Sequence, residues 1–371
     1  MGKIKLGKYI SEFSQKNRDK KPYPVYSVTN SSGFCTEYFT KDVSSEDKSN
    51  YKLVPYGYFA YNPSRINVGS VDCQDREDTV IVSPLYTVFS VSNKLNVNYL
   101  RYFFKSNYSK YLIKSKVSGS VRFNLKFSTL CNFEINEIGV EEQEKAVNLF
   151  SSIEDSIKTE EHELTLLDEL IKSRFNEMFG KDDGDTPLDS LCEICRGASP
   201  RPIQNFITND SRGINWIKIG DVDPSAIYIT KTGEKITMEG ASKSRIVHPG
   251  DFILSNSMSF GRPYILGIDG CVHDGWLIVS KYQKHYRPLF LYYLLRSESV
   301  QNQFNKNAGG TTVKNLNSDL VKKTKVKLYP LEAQDRFVKF AEQIDKLKFN
   351  VQKRIEKYKE LLNKKMDEYF N

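Results

Sequence analysis

Two stretches of the chain repeat apolar residues at helical spacing and contain neither proline nor glycine. The first runs from Glu141 to Phe179, with apolar residues at Phe150, Ile153, Ile157, Leu164, Leu167, Ile171 and Met178. The second runs from Leu331 to Phe370 and carries Phe337, Phe340, Ile344, Leu347, Val351, Tyr358 and Leu361. Steps of three and four place each set on one heptad-like stripe, interrupted by Glu160, Arg174 and Arg354. Gly180 stands where a helix stops, and Pro330 where one starts. At 1.5 Å per residue, each predicted helix is about 60 Å long. A lone amphipathic helix cannot bury its stripe, so the two are expected to pair as an antiparallel coiled coil.

The rest of the chain shows why there are two such helices. Tyr99-Leu-Arg-Tyr-Phe-Phe-Lys-Ser106 resembles Phe290-Leu-Tyr-Tyr-Leu-Leu-Arg-Ser297, and residue 290 lies 191 beyond residue 99. The same offset relates Ser118-Gly-Ser-Val-Arg-Phe-Asn-Leu125 to Gly309-Gly-Thr-Thr-Val-Lys-Asn-Leu316. It also relates Glu141-Glu-Gln143 to Glu332-Ala-Gln334 and Phe179 to Phe370. Upstream, the match drifts by a few residues, but Gly57-Tyr-Phe59 still pairs with Gly250-Asp-Phe252. A period this long is a domain duplication rather than a solenoid. The expected division is domain 1–140, helix 141–180, linker 181–187, domain 188–330 and helix 331–371. Two similar surfaces performing similar tasks follow from it.

Each domain reads as mixed strand and helix. Short β-rich runs bounded by turn residues include Val80–Val82, Tyr86–Phe89, Trp216–Ile219, Ala226–Ile229 and Asp251–Leu254. Tyr99–Ile113 and Leu289–Phe304 read as helices. The fold class is therefore α+β: two tandem domains, each followed by a long helix.

Composition adds a partner class and removes several chemistries. The formal net charge of +8 suits a polyanion. The loops hold residues suited to nucleic acid. In the first half these are Lys16, Arg18, Lys20, Lys21, Tyr61, Asn62, Ser64, Arg65, Arg122, Asn124 and Lys126. In the second they are Arg196, Ser199, Arg201, Ser255, Asn256, Ser257, Phe260, Arg262, Thr311 and Lys314. Arginine and lysine match guanine O6 and N7, asparagine matches adenine, and hydroxyls suit phosphates. Only Cys192 and Cys195 among six cysteines form a C-x-x-C pair, and the four histidines stand apart from them, so no metal site is expected. No P-loop, G-x-G-x-x-G or H-E-x-x-H appears. Asn62-Pro63 is followed by Ser64 and Arg65, where an adenine methyltransferase motif needs proline and an aromatic residue. No catalytic residue is assigned. The opening segment MGKIKLGKYISEF lacks an apolar core, and no apolar run nears membrane-spanning length. A cytoplasmic, non-membrane protein is expected.

Several longer motifs carry a family resemblance. They are Arg196-Gly-Ala-Ser-Pro-Arg201, Gly213-Ile-Asn-Trp-Ile-Lys-Ile-Gly-Asp221, Tyr228-Ile-Thr230 and His248-Pro-Gly-Asp-Phe-Ile-Leu-Ser-Asn-Ser-Met-Ser-Phe-Gly-Arg-Pro263. With them stand Tyr61-Asn-Pro-Ser-Arg-Ile-Asn-Val-Gly69, Gly309-Gly310 and Glu332-x-Gln334. Together they resemble the specificity subunits of type I restriction-modification systems along essentially the whole chain. The first half departs most, lacking the Trp-Ile-x-Ile-x-Asp segment.

The resemblance implies two target recognition domains, each reading half of a bipartite site on double-stranded DNA, and a coiled coil that sets the gap between half-sites. It implies docking of two modification (methyltransferase) subunits and of restriction (translocase) subunits. No cofactor is expected in this chain; S-adenosylmethionine, ATP and Mg would belong to those partners, which would methylate adenine and cleave DNA. The competing readings are a single-chain restriction or methyltransferase enzyme and a scaffold that binds only protein.

Overall fold

The computed structural model describes residues 2–36, 47–115, 124–180, 184–224, 226–256, 260–307 and 316–371. The chain divides into two units, Met1–Glu163 with Val351–Asn371, and Leu164–Asn350. The division cuts through both long helices rather than falling at their ends.

The first unit contains strands β1 (Lys3–Lys5), β2 (Ile10–Phe13), β3 (Ser27–Thr29), β4 (Gly33–Cys35), β5 (Lys52–Pro55), β6 (Phe59–Tyr61), β7 (Val71–Cys73), β8 (Thr79–Val82), β9 (Thr87–Val91) and β10 (Glu134–Asn136). Its short helices are α1 (Val97–Lys105), α2 (Asn107–Ser115) and α3 (Phe127–Leu130), and the chain then enters the long α4 (Val140–Phe179). The main sheet is antiparallel in the order β2-β9-β6-β7. Side chains alternate across it: Phe59, Tyr61 and Phe89 join the core under α1, while Ala60 and Val88 join a second core with Val54, Val80 and Val82.

The second unit contains β11 (Thr186–Pro187), β12 (Glu193–Arg196), β13 (Ile207–Thr208), β14 (Ile214–Ile217), β15 (Tyr228–Ile229), β16 (Glu234–Ile236), α5 (Met238–Ser242), β17 (Arg245–Val247), β18 (Phe252–Ser255), β19 (Pro263–Leu266), β20 (Gly270–Val272) and β21 (Trp276–Ser280). It continues with α6 (Pro288–Arg296), α7 (Glu298–Asn307), α8 (Ser318–Lys323), β22 (Lys325–Val326) and the long α9 (Leu331–Phe370). One sheet runs β12-β21-β18-β19-β15 and the other β13-β16-β14-β20-β17. Alternation again divides the cores, with Phe252, Leu254, Leu277 and Val279 on one face and Ile253, Trp276 and Ile278 on the other.

Three local expectations change. Tyr99–Ile113 and Leu289–Phe304 each form two helices, broken at Ser106 and at Ser297. Each serine hydroxyl accepts a hydrogen bond from a backbone N–H three residues on, Ser109 at 3.1 Å and Val300 at 3.4 Å, capping the second helix of its pair. The expected linker also contains structure: Thr186 and Pro187 pair with Val326 and Lys325. Gly184 is needed there, because a Cβ would lie 1.9 Å from the Val326 carbonyl carbon. Asp182 and Asp183 lie outside the described residues.

The long helices pair antiparallel within each unit. In the first, Phe150 meets Phe370 at 6.0 Å, Tyr369 donates to Glu142 at 3.1 Å, and Arg354 bridges Glu160 and Glu163 at 2.7 and 3.0 Å. In the second, Phe175 meets Phe337 at 5.2 Å, Arg174 lies over Phe340, and Lys348 pairs with Asp168. Phe150, Ile153, Ile157 and Ile171 are buried, and Leu164 and Leu167 half-buried. On α9 the stripe has a different phase from the one expected. Phe337, Ala341, Ile344, Val351, Ile355, Met366 and Phe370 are buried, and Phe340 and Tyr358 partly so. Leu347, at 50% exposure, and Leu361 lie outside the seam. Lys348 and Leu362 take those places; the lysine lays its aliphatic stem along the stripe and carries its charge to Asp168.

Candidate nucleic-acid interface

Strand pairing gives the two main sheets a common frame. Phe13 pairs with Val88 and Tyr61 with Thr87 in the first unit. Arg196 pairs with Leu277 and Ser255 with Trp276 in the second. Matching the core-facing pairs Phe59–Phe89 and Phe252–Val279, Phe13 corresponds to Cys195, Tyr61 to Leu254, and Thr87 to Leu277. Three loops therefore emerge at the same end of each sheet: after β2 or β12, after β6 or β18, and before β9 or β21. Nearly all the candidate residues with described positions fall on them.

In the first unit, Lys16 and Arg18 are exposed on the first loop. Lys16 donates to Asn50 Oδ1 at 3.2 Å. Buried Asn17 shapes the loop by accepting from the Lys21 N–H at 3.0 Å and donating to the Lys21 carbonyl at 2.9 Å, while Lys20 adopts a left-handed φ of 52°. On the second loop, the half-buried Asn62 accepts from the Ser64 N–H at 3.0 Å, and Ser64 and Arg65 are exposed. Tyr61 does not belong to the surface. It is wholly buried, and its hydroxyl donates to the Leu125 carbonyl at 3.1 Å, so it anchors the loop. Leu125 N–H in turn donates to Pro63, which leaves Asn124 exposed beside the loop.

These loops and β3 enclose a groove of about 930 Å³, lined by Tyr23, Tyr26, Asn30, Lys48, Asn62 and Arg65 among others. No acidic residue lines it among the described residues. Below it, Lys52 donates to the Tyr86 carbonyl at 2.6 Å, and burial pulls its ammonium below the ordinary lysine value.

In the second unit the corresponding loops converge on Asp274. Its carboxylate accepts from Ser199 Oγ at 2.9 Å and from Arg201 Nη2 at 3.0 Å, with Arg196 Nη2 at 3.9 Å. Its carbonyl accepts from Arg196 Nε at 2.8 Å and Asn256 Nδ2 at 3.1 Å. Its N–H donates to Ser199 Oγ at 3.2 Å. The Ser199 hydroxyl, with Arg201 and Arg196, holds the carboxyl below the ordinary aspartate range. Beside it lies a groove of about 500 Å³ lined by Arg201, Ile203, Trp216, Lys218 and His273. His273 accepts from the Gly275 N–H at 2.7 Å, and burial lowers its pKa, so it sits there as neutral imidazole.

Three other candidates serve the scaffold. Ser255 is fully buried and exchanges backbone hydrogen bonds with Arg262 and Gly261. Asn256 is buried, its side chain on Asp274 and its carbonyl on the Leu316 N–H. Phe260 packs against the core. Arg262 is half-buried and donates to the Pro224 carbonyl at 2.6 Å. Arg122, Ser257, Thr311 and Lys314 lie outside the described residues.

The residues missed in the sequence are Asp274, Lys218, His273 and Leu85. The only local signal for Asp274 is the Asp-Gly turn ahead of a strand.

The family described as "Type I restriction modification DNA specificity domain" matches residues 1–169 and again 184–360. The chain belongs to this family. The two matches fall on the two copies of the repeat. A solved structure described under "complex assembly and conformational transition of the type I R-M system" superposes with a TM-score of 0.69 at 16% identity, over 99% of this chain and 97% of that one. HsdS from Thermoanaerobacter tengcongensis matches at TM-score 0.46 and 16% identity, over 100% of this chain and 96% of that one. The S subunit from M. genitalium matches at 0.45 and 11%, over the same shares. The protein is a DNA sequence-specificity subunit, and the single-chain enzyme and protein-only scaffold are not favoured. No helix among the described residues is long and apolar enough to cross a membrane.

Proposed function

We propose that this specificity subunit reads a bipartite double-stranded DNA site, one half-site per unit, through the three-loop end of each main sheet. The observation that carries this reading is the duplication itself. Two copies of one fold present exposed arginines, lysines and amides at the same sheet end, around grooves of different lining. The subunit contributes recognition and no catalysis. Two modification subunits supply S-adenosylmethionine and methylate adenine in each half-site, and restriction subunits supply ATP- and Mg-dependent translocation and cleavage.

The test is to purify the chain with its genomic neighbours and to sequence the methylome with and without it. A bipartite motif bearing N6-methyladenine in both halves, lost on deletion, is the expected result. An unchanged methylome and no methyltransferase partner would overturn the proposal.

A further inference from the structure

Resting on the reading above, we propose that Asp274 is a positioning residue for base recognition by the second unit. It holds Arg196 and Arg201 as a fixed pair that reads guanine, so the half-site read by this unit contains a G·C pair whose recognition depends on Asp274.

The geometry supports this in three ways. First, Asp274 joins all three loops at the sheet end through its carboxylate, carbonyl and N–H. A residue that only balanced charge would need the carboxylate alone. Second, the arginines remain available. Their side chains are 57% and 78% exposed, and each guanidinium has five N–H donors, so the bonds to Asp274 leave outward-facing donors on both. Tethering a guanidinium removes rotamer freedom before DNA arrives, which favours directed pairing with O6 and N7. A carboxylate between two arginines weakens their pull on phosphate, so the trio is poorly built for backbone gripping and well built for a neutral base edge. Third, the corresponding turn in the first unit carries different chemistry. Since Thr87 corresponds to Leu277, the exposed Pro84 occupies the place of Asp274, followed by Leu85, which is 74% exposed; both are apolar, and among the described residues no acid lines the groove there. Equivalent backbone positions with unlike side chains are where two copies of one fold would distinguish different bases.

The test uses the complex reconstituted with its modification subunits. The wild-type motif is mapped first, and duplexes are then made with each G·C pair of each half-site replaced in turn. For Asp274→Asn, discrimination at one or more G·C pairs of a single half-site should fall about tenfold or more. Affinity for unrelated DNA should hold or rise, because a negative charge is lost. Arg201→Lys keeps the charge but not the fork, and should lose discrimination at the same pairs with unrelated-DNA affinity unchanged. If Asp274→Asn proves poorly folded by thermal melting, Arg201→Lys decides alone. Retained discrimination in either folded variant would overturn the inference, as would equal weakening on all DNA or a wild-type motif without G·C in either half. A wild-type complex showing no bipartite preference would instead overturn the function on which the inference rests.

Discussion

Gln143 and Gln334 make the same three hydrogen bonds from the same place in their two units. Gln143 accepts from the Asn96 N–H at 2.7 Å and donates to the carbonyls of Lys94 at 3.2 Å and Ile138 at 3.0 Å. Gln334 accepts from the Arg287 N–H at 2.9 Å and donates to His285 at 2.8 Å and Tyr329 at 2.9 Å. Every partner in the second set lies 191 residues beyond its counterpart in the first. Each buried amide ties the start of a long helix to the residue that opens α1 or α6, so the helix is fixed to its domain by side-chain bonding as well as by apolar packing.

Replacing either glutamine with leucine strands three main-chain groups in the interior. The expected loss is about 2–4 kcal/mol, confined to the affected unit. Urea unfolding of Gln143→Leu, Gln334→Leu and the double variant measures it, with additive losses expected for separate sites. An unchanged midpoint in the single variants would show that water or rearrangement replaces the bonds.

Phe370 packs against Tyr99 at 4.8 Å, Phe103 at 5.6 Å and Phe150 at 6.0 Å, and is fully buried. Phe370→Ala should cost about 3–5 kcal/mol by leaving a cavity. Leu361→Ala, outside the seam, should stay within about 0.5 kcal/mol. Equal effects from the two would mean that the helix packs in the other phase.

His273 gives the second unit a pH response. Its folded pKa lies below the ordinary histidine value because burial disfavours the charged form. The unfolded chain therefore takes up a proton first. The stabilising contribution is present above about pH 6.5, the unfolded value, and is lost as pH falls from there through the folded pKa. Asp274 acts in the same direction at lower pH: its depressed pKa preserves the arginine network until acid protonates it. His273→Gln should flatten the first of these declines in a melting-temperature profile, and an unchanged profile would assign it to other groups.

Arg65→Ala and Arg201→Ala should each weaken recognition of one half-site only, by about 1–3 kcal/mol, and the two half-sites should differ. Lys16→Ala should instead weaken binding to all sequences and reduce the salt dependence by about one ion. Competition binding across a salt series separates these outcomes. If all three variants behave alike, the loops grip the backbone without reading bases.

The long helices, the duplication and the family were legible because they rest on short-range periodicity and on repeated text. The phase of the α9 stripe was not: Leu347 is a more apolar choice than Lys348, yet Lys348 fits the seam because its stem is apolar and Asp168 receives its charge, and Leu361 and Leu362 are chemically identical. Tyr61 and Ser255 looked like surface residues because motif and loop signals mark them. Their burial depends on partners such as Leu125 and Arg262, which only the folded chain brings near. Asp274 was invisible for the same reason, since Arg196, Ser199 and Arg201 stand more than seventy residues before it.

The unit boundary within the long helices bears on the order in which the protein matures on the ribosome. The second unit is one continuous segment, Leu164–Asn350, and all its parts have been synthesised before residue 351 is added. The first unit has most of its sequence earlier, but its core also takes in Met366 and Phe370. Until those arrive, the aromatic faces of Tyr99, Phe103 and Phe150 lack their last partner. The half that is made first is therefore the half that closes last, and its open seam is where a chaperone or an aggregating neighbour would find nascent chains.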